Sequence, residues 1–178
     1  MVSLTIFDSI YDNKTEKRMD YTSFDEFEKV LYSLSESKKY PNKKDAPLIS
    51  PATYVADTTR ANAHVVNWSS WAAIDVDDYE GDIKDIEAKY SKYRYVCYST
   101  ASSTKENPKF RLVFPLTKEV EAGDIKHFWF ALNKEIGDIG DAQTKDLSRM
   151  YYIPAKYKKA FNFIFSHDGA IIDPDALM

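Results

Sequence analysis

The chain has 178 residues, 44% apolar and 29% charged, with a formal net charge of −4. That is the length of about one domain and the composition of an ordinary globular protein, with enough chain to bury a core. The acidic balance argues against a general high-affinity nucleic-acid binder, which needs a basic face, but not against an enzyme that meets nucleic acid locally. One cysteine excludes an intrachain disulfide and a cysteine-rich zinc site. No stretch approaches the roughly 18 apolar residues of a membrane span, and no basic-then-apolar signal opens the chain, so a cytoplasmic protein with no membrane partner is expected.

In chain order, Ser3-Leu4-Thr5-Ile6-Phe7 predicts a first strand, followed by a turn at Asp12-Asn13. Ser23 with Glu26 three residues later has the form of a capping box. Phe24, Phe27, Val30, Leu31 and Leu34 then fall on one face at i, i+3, i+4 spacing, which predicts a helix. The Lys-, Pro-, Asn- and Asp-rich segment 38–51 reads as a loop, and 52–63 is ambiguous. Residues 70–76 read as a strand, 81–91 as a short helix with Ile83 and Ile86 on one face, and 94–98 as a strand leading into the polar loop 99–108. A strand at 110–114 closes on Pro115, and an amphipathic helix over 124–136 bears Ile125, Phe128, Trp129 and Leu132. Beyond the Gly140-Asp141 turn lie strands at 150–153 and 161–165. This mixture predicts one α+β domain over residues 1–178 with a largely antiparallel sheet.

The chemistry concentrates in Ala73-Ile74-Asp75-Val76-Asp77-Asp78. In a strand, residues i and i+2 share a face, so Asp75 and Asp77 stand side by side while Ile74 and Val76 point into a core. Paired carboxylates repel unless something positive sits between them, and a hard cation such as Mg²⁺ or Mn²⁺ is the usual answer. A strand end running into an acidic turn is the plainer alternative. For a third acid, Asp141 and Asp146 compete. Phosphate-binding candidates lie in the hydroxyl-rich run Ser99-Thr100-Ala101-Ser102-Ser103-Thr104 and in Lys109 and Arg111 beyond it. Arg149 suits either a phosphate or a nearby aspartate. The lysine groups 38–44 and 156–159 read as solvated surface, and Cys97 as a small buried hydrophobe. Neither a hydrolase triad, HExxH nor a glycine-rich phosphate loop is present.

The ordered set of Ala73–Asp77, Tyr98–Thr104, Pro108–Leu116 and Gly140-Asp141 with Asp146, Ser148, Arg149 and Pro154 resembles the archaeo-eukaryotic primase superfamily, in particular the primase-polymerase domains of phages and plasmids. The resemblance covers roughly residues 70–155. It implies a sheet like that of the RNA-recognition motif, backed by helices, over about 67–166, with an extra N-terminal αβ unit over about 1–66. It further implies template-directed nucleotidyl transfer, as DNA primase or DNA polymerase, with two catalytic metals (Mg²⁺ or Mn²⁺) held by Asp75, Asp77 and Asp141, Asp146 competing for the third place. Ser102, Ser103, Thr104, Lys109, Arg111 and Arg149 would then bind the nucleotide. The family's middle motif normally supplies a histidine to the phosphates. None stands here, and Arg111 is the cationic substitute. Nucleoside triphosphates, a single-stranded DNA template with its primer, and a replicative helicase are the implied partners. A replication-initiation module without catalysis and a metal-dependent nuclease are the rival readings.

Overall fold

Strict alternation of residues along one central strand decides how the molecule is layered. The computed structural model describes residues 1–140 and 146–178. The chain begins with β1 (Val2–Phe7), β2 (Arg18–Tyr21), α1 (Phe24–Ser37), β3 (Lys39–Tyr40), β4 (Leu48–Ser50) and β5 (Ala52–Tyr54). It continues through β6 (Val65–Trp68), β7 (Trp71–Val76), the single-turn α2 (Ile86–Lys89), β8 (Tyr95–Ser99) and β9 (Phe110–Pro115). Last come β10 (Val120–Glu121), α3 (Ile125–Glu135), β11 (Tyr151–Tyr152), β12 (Lys156–Tyr157), β13 (Ile164–His167) and α4 (Pro174–Leu177). The fold is α+β.

The central sheet has the order β13-β8-β9-β7, and every pairing in it is antiparallel. Because β7 and β8 both pair with β9, they run parallel to each other with β9 between them. The crossover that joins them carries α2, so the unit is a split βαβ. Along β7, Ala72, Ile74 and Val76 enter the core beneath α3, where Ile125, Phe128, Trp129 and Leu132 meet them. Trp71 and Ala73 point the other way, into a second core closed by Phe24, Phe27 and Leu31 of α1. Asp75 continues this second row, so the acidic site lies on the α1 side of the sheet. Cys97 lies wholly buried on the α3 side, and burial pushes its thiol pKa up.

Around this centre sit a second antiparallel sheet, β11-β4-β1-β2, a three-stranded sheet, β10-β6-β5, and the parallel pair β12-β3. The units read from the sequence, about 1–66 and 67–166, are thereby stitched together. β11 pairs with β4, β12 with β3, and β6 joins β5 to β10.

Several local expectations change. Helix α1 starts where predicted, but Ser23 makes no side-chain cap, and the Glu26 carboxylate instead accepts the Thr22 N–H at 3.0 Å. The segment 38–51 is not a loop throughout. It holds β3, a 3₁₀ turn over Lys43–Asp45 capped by the Asn42 side chain, and β4. Strands this short carry no local period, and they exist because β1, β11 and β12 pair with them. The last strand begins at Ile164 rather than 161, since Phe161 and Phe163 spend their backbone groups on Ser103 and Ser99.

Candidate functional site

Register builds the site. Asp75 on β7 lies opposite Arg111 on β9, which lies opposite Tyr98 on β8. The Arg111 Nε donates to Asp75 Oδ1 at 2.5 Å, and its Nη1 donates to the Tyr98 hydroxyl and the Tyr152 carbonyl, both at 3.0 Å. The guanidinium also lies over the rings of Tyr98 and Tyr151, at 5.3 and 4.7 Å from their centroids. Both partners of this ion pair are buried, with side chains only 8% and 9% exposed. Burial alone would lower the Arg111 pKa, but the Asp75 carboxylate and the Tyr98 hydroxyl overcome it and hold the pKa above its ordinary value. Burial raises the phenols of Tyr98 and Tyr151, which therefore remain protonated donors. The Tyr151 hydroxyl donates to the Ala73 carbonyl at 3.1 Å, which fixes that ring against β7.

The positive charge beside the acidic strand is therefore first of all an arginine. A second one, Arg149, reaches Asp75 Oδ2 at the longer distance of 3.4 Å and lies over the Tyr151 ring at 5.6 Å. Its buried Nε has no hydrogen-bond partner among the described residues. Among the described residues Arg149 thus pairs with Asp75, a carboxylate distant in sequence, rather than with Asp146.

These groups open onto a cavity of about 500 Å³. Asp75, Asp77 and Asp146 line it, as do the cations Lys43, Lys109, Arg111 and Arg149. Of the predicted hydroxyls, Ser102 faces it, together with Ser99 and Thr100. Ser103 and Thr104 lie off this wall. The buried Ser103 Oγ accepts the Lys109 N–H at 3.2 Å, and the Thr104 hydroxyl accepts the Asn107 N–H at 2.9 Å, so both are spent on closing the loop. Arg111 contributes to the wall, but Asp75, Tyr98 and Tyr152 occupy much of its fork. Asp141 lies outside the described residues. The chain leading to it is anchored, because the Gly140 N–H donates to Asn133 Oδ1 at 2.7 Å from a nearly buried place on α3. A Cβ at Gly140 would stand 2.6 Å from that oxygen and 2.9 Å from Ile74 Cγ2. Gly140→Ala is expected to destabilise the protein by about 1–3 kcal/mol through this overpacking, read as a lowered denaturant midpoint.

Sequence reasoning missed the tyrosine frame of Tyr98, Tyr151, Tyr152 and Tyr157, and it missed Lys43. Tyr98, Tyr151 and Tyr152 stood in segments read as strands, where ring and hydroxyl roles look alike, and Tyr157 stood in a lysine group read as solvated surface. Asn133 had a visible signal, as a polar residue beside Leu132 on a helix face that is otherwise apolar. Lys43 had none, since only β-pairing of the flanking segment brings it near.

The sequence profile of the VapE N-terminal domain family matches residues 19–178. The chain belongs to that family. Among solved structures it is similar to the AEP domain of a cyanophage S-2L primase-polymerase, with a TM-score of 0.54 and 12% sequence identity over 99% of this chain and 87% of that one. It therefore has the fold of a primase-polymerase domain. A search of curated proteins finds no match.

In donor chemistry this VapE-type site fits a hard divalent cation. Its candidate ligands are all carboxylate oxygens, and such ions are commonly held by one or two carboxylates plus phosphate oxygens of a ligand. Asp77 and the Oδ2 side of Asp75 are the groups that would hold one. Among the described residues no three acids or imidazoles gather into a complete ligand set.

Proposed function

We propose that this domain is a template-directed nucleotidyltransferase, a DNA primase or DNA polymerase of phage or plasmid replication. The observation that carries this reading is one cavity of nucleotide size. It brings Asp75 and Asp77 together with the Thr100 and Ser102 hydroxyls and the Lys109 ammonium. A bound Mg²⁺ or Mn²⁺ pair would supply Lewis-acid charge at the reacting phosphate. Asp77 and Asp75 would hold the metal, with Asp141 or Asp146 as the third ligand. Lys109 and Ser102 bind triphosphate oxygens, as a point charge and a hydrogen-bond donor. Arg111 holds Asp75 in place rather than gripping the triphosphate. Arg149, tied to Asp75 by one long contact, is the arginine placed to turn towards a phosphate. Nucleoside triphosphates, primer and single-stranded template are the substrates, with a replicative helicase as a partner in cis or in trans.

The test is extension of a 5′-labelled primer on a single-stranded template with Mn²⁺ or Mg²⁺, using ribo- and deoxynucleotides in parallel. Elongated products are expected. The firm hold of Arg111 on Asp75 favours one rival, a replication-initiation module that binds DNA without turnover. A retarded but unextended primer would establish that rival, and shortened primer without added nucleotide would establish a nuclease.

A further inference from the structure

The parallel pair of β3 and β12 sets two lysines against each other. Lys39 and Lys156 are register partners across it, and both are exposed. Like charges opposed across a strand pair are destabilising. The chain nevertheless adds more, since the Lys156 N–H bonds the Lys38 carbonyl at 2.8 Å and the Lys158 N–H bonds the Tyr40 carbonyl at 3.0 Å. Lys43 and Lys44 follow on the 3₁₀ turn after β3. The ion pairs among the described residues include none of these six lysines. In a chain of net charge −4, six lysines thus gather on one ribbon with no ion-pair partner among the described residues, and Asp45 is the acid that shares the turn with Lys43 and Lys44.

The ribbon is a fixed display. Tyr157 is buried beneath it, packs on the Tyr40 ring at 6.1 Å between centroids, and bonds the Ile153 carbonyl through its hydroxyl at 2.5 Å. It also runs to the mouth of the cavity. Lys43 and Tyr157 line that cavity, and the Lys43 ammonium lies over the half-buried Tyr152 ring at 6.0 Å from its centroid. A row of unpaired cations ending at an aromatic face beside a nucleotide-sized cavity has the two elements of single-strand recognition, a charged track for phosphates and a platform for a base.

We propose that the β3–β12 lysine ridge carries the phosphodiester backbone of a single-stranded polynucleotide into the cavity past Lys43 and Tyr152. This rests on the reading of the cavity as a nucleotidyl-transfer site and names the surface by which its strand is held. Phosphates relieve the repulsion between Lys39 and Lys156, and Tyr152 stacks the base nearest the mouth.

The test measures binding of a fluorescein-labelled oligothymidylate by anisotropy across a salt series, for the wild type, the Lys39→Ala/Lys156→Ala variant and the Lys39→Arg/Lys156→Arg variant. Loss of both lysines is expected to weaken binding and to flatten the log–log salt slope by about 1.4, at about 0.7 per phosphate contact on a single strand. The arginine variant is expected to keep the wild-type slope. Binding of a fluorescent nucleoside triphosphate with Mn²⁺ is expected to stay unchanged in the alanine variant, whose exposed sites leave the fold intact by circular dichroism. An unchanged slope in the alanine variant, or no oligothymidylate binding by the wild type at low salt, would overturn the ridge. An acidic protein partner is the alternative that the second result would point to. If the slope shifts but the wild type never extends a primer, the ridge stands and the polymerase reading falls.

Discussion

Asp75→Ala is expected to cost about 3–5 kcal/mol of stability, because it leaves a buried arginine without its counter-charge. Arg111 cannot escape by losing its proton, since its pKa is held above an already high ordinary value. Nor can it swing to water easily, with its Nη1 fixed to Tyr98 and Tyr152 and its plane against two rings. Urea unfolding should show a large fall in midpoint. The double variant Asp75→Ala/Arg111→Ala should lose clearly less than the sum of the two single variants, since removing both charges ends the burial penalty. A single variant within about 1 kcal/mol of wild type would mean that the pair is solvated rather than buried. Carboxylates that did no more than hold a metal could both be replaced without harm to the fold. The ion pair changes that expectation, so loss of activity in Asp75→Ala carries no information about chemistry unless the protein is shown to be folded.

The long periodic elements were legible for a physical reason, namely that their apolar spacing is itself the cause of their burial. Phe24, Phe27 and Leu31 on α1 and Ile125, Phe128, Trp129 and Leu132 on α3 are buried on the faces that their spacing implied. Strand β7 was legible too, and Asp75 and Asp77, read as neighbours on one face, both line the cavity. What stayed hidden depends on register between distant segments. No local pattern shows that residue 75 meets residue 111, or that Tyr151 and Tyr152 join β4 some hundred residues earlier. The serine loop illustrates the same limit. Ser102, Ser103 and Thr104 are chemically similar in sequence, and only the fold turns the first to the cavity and spends the others on the loop.

Asp77→Ala is the cleaner probe of the proposed chemistry, and it is expected to abolish primer extension with little cost to the fold. Asp77 stands one residue beyond the end of β7, partly exposed at the cavity wall and outside the buried Asp75–Arg111 pair, so its removal leaves that pair intact. Unfolding free energy should stay within about 0.5 kcal/mol of wild type. Extension should fall by more than the roughly 10–100-fold that follows loss of a group outside a metal's ligand set. Mn²⁺ binding measured by calorimetry should weaken in step, and this links the two effects to one cause. Asp77→Glu, which keeps the charge but moves the oxygens by one methylene, should recover part of the metal affinity and little of the rate, because in-line attack depends on placement as well as charge. If Asp77→Ala extends primers as well as wild type while Asp75→Ala loses activity only in proportion to folded protein, then the acidic strand serves the arginine-centred core and not nucleotidyl transfer.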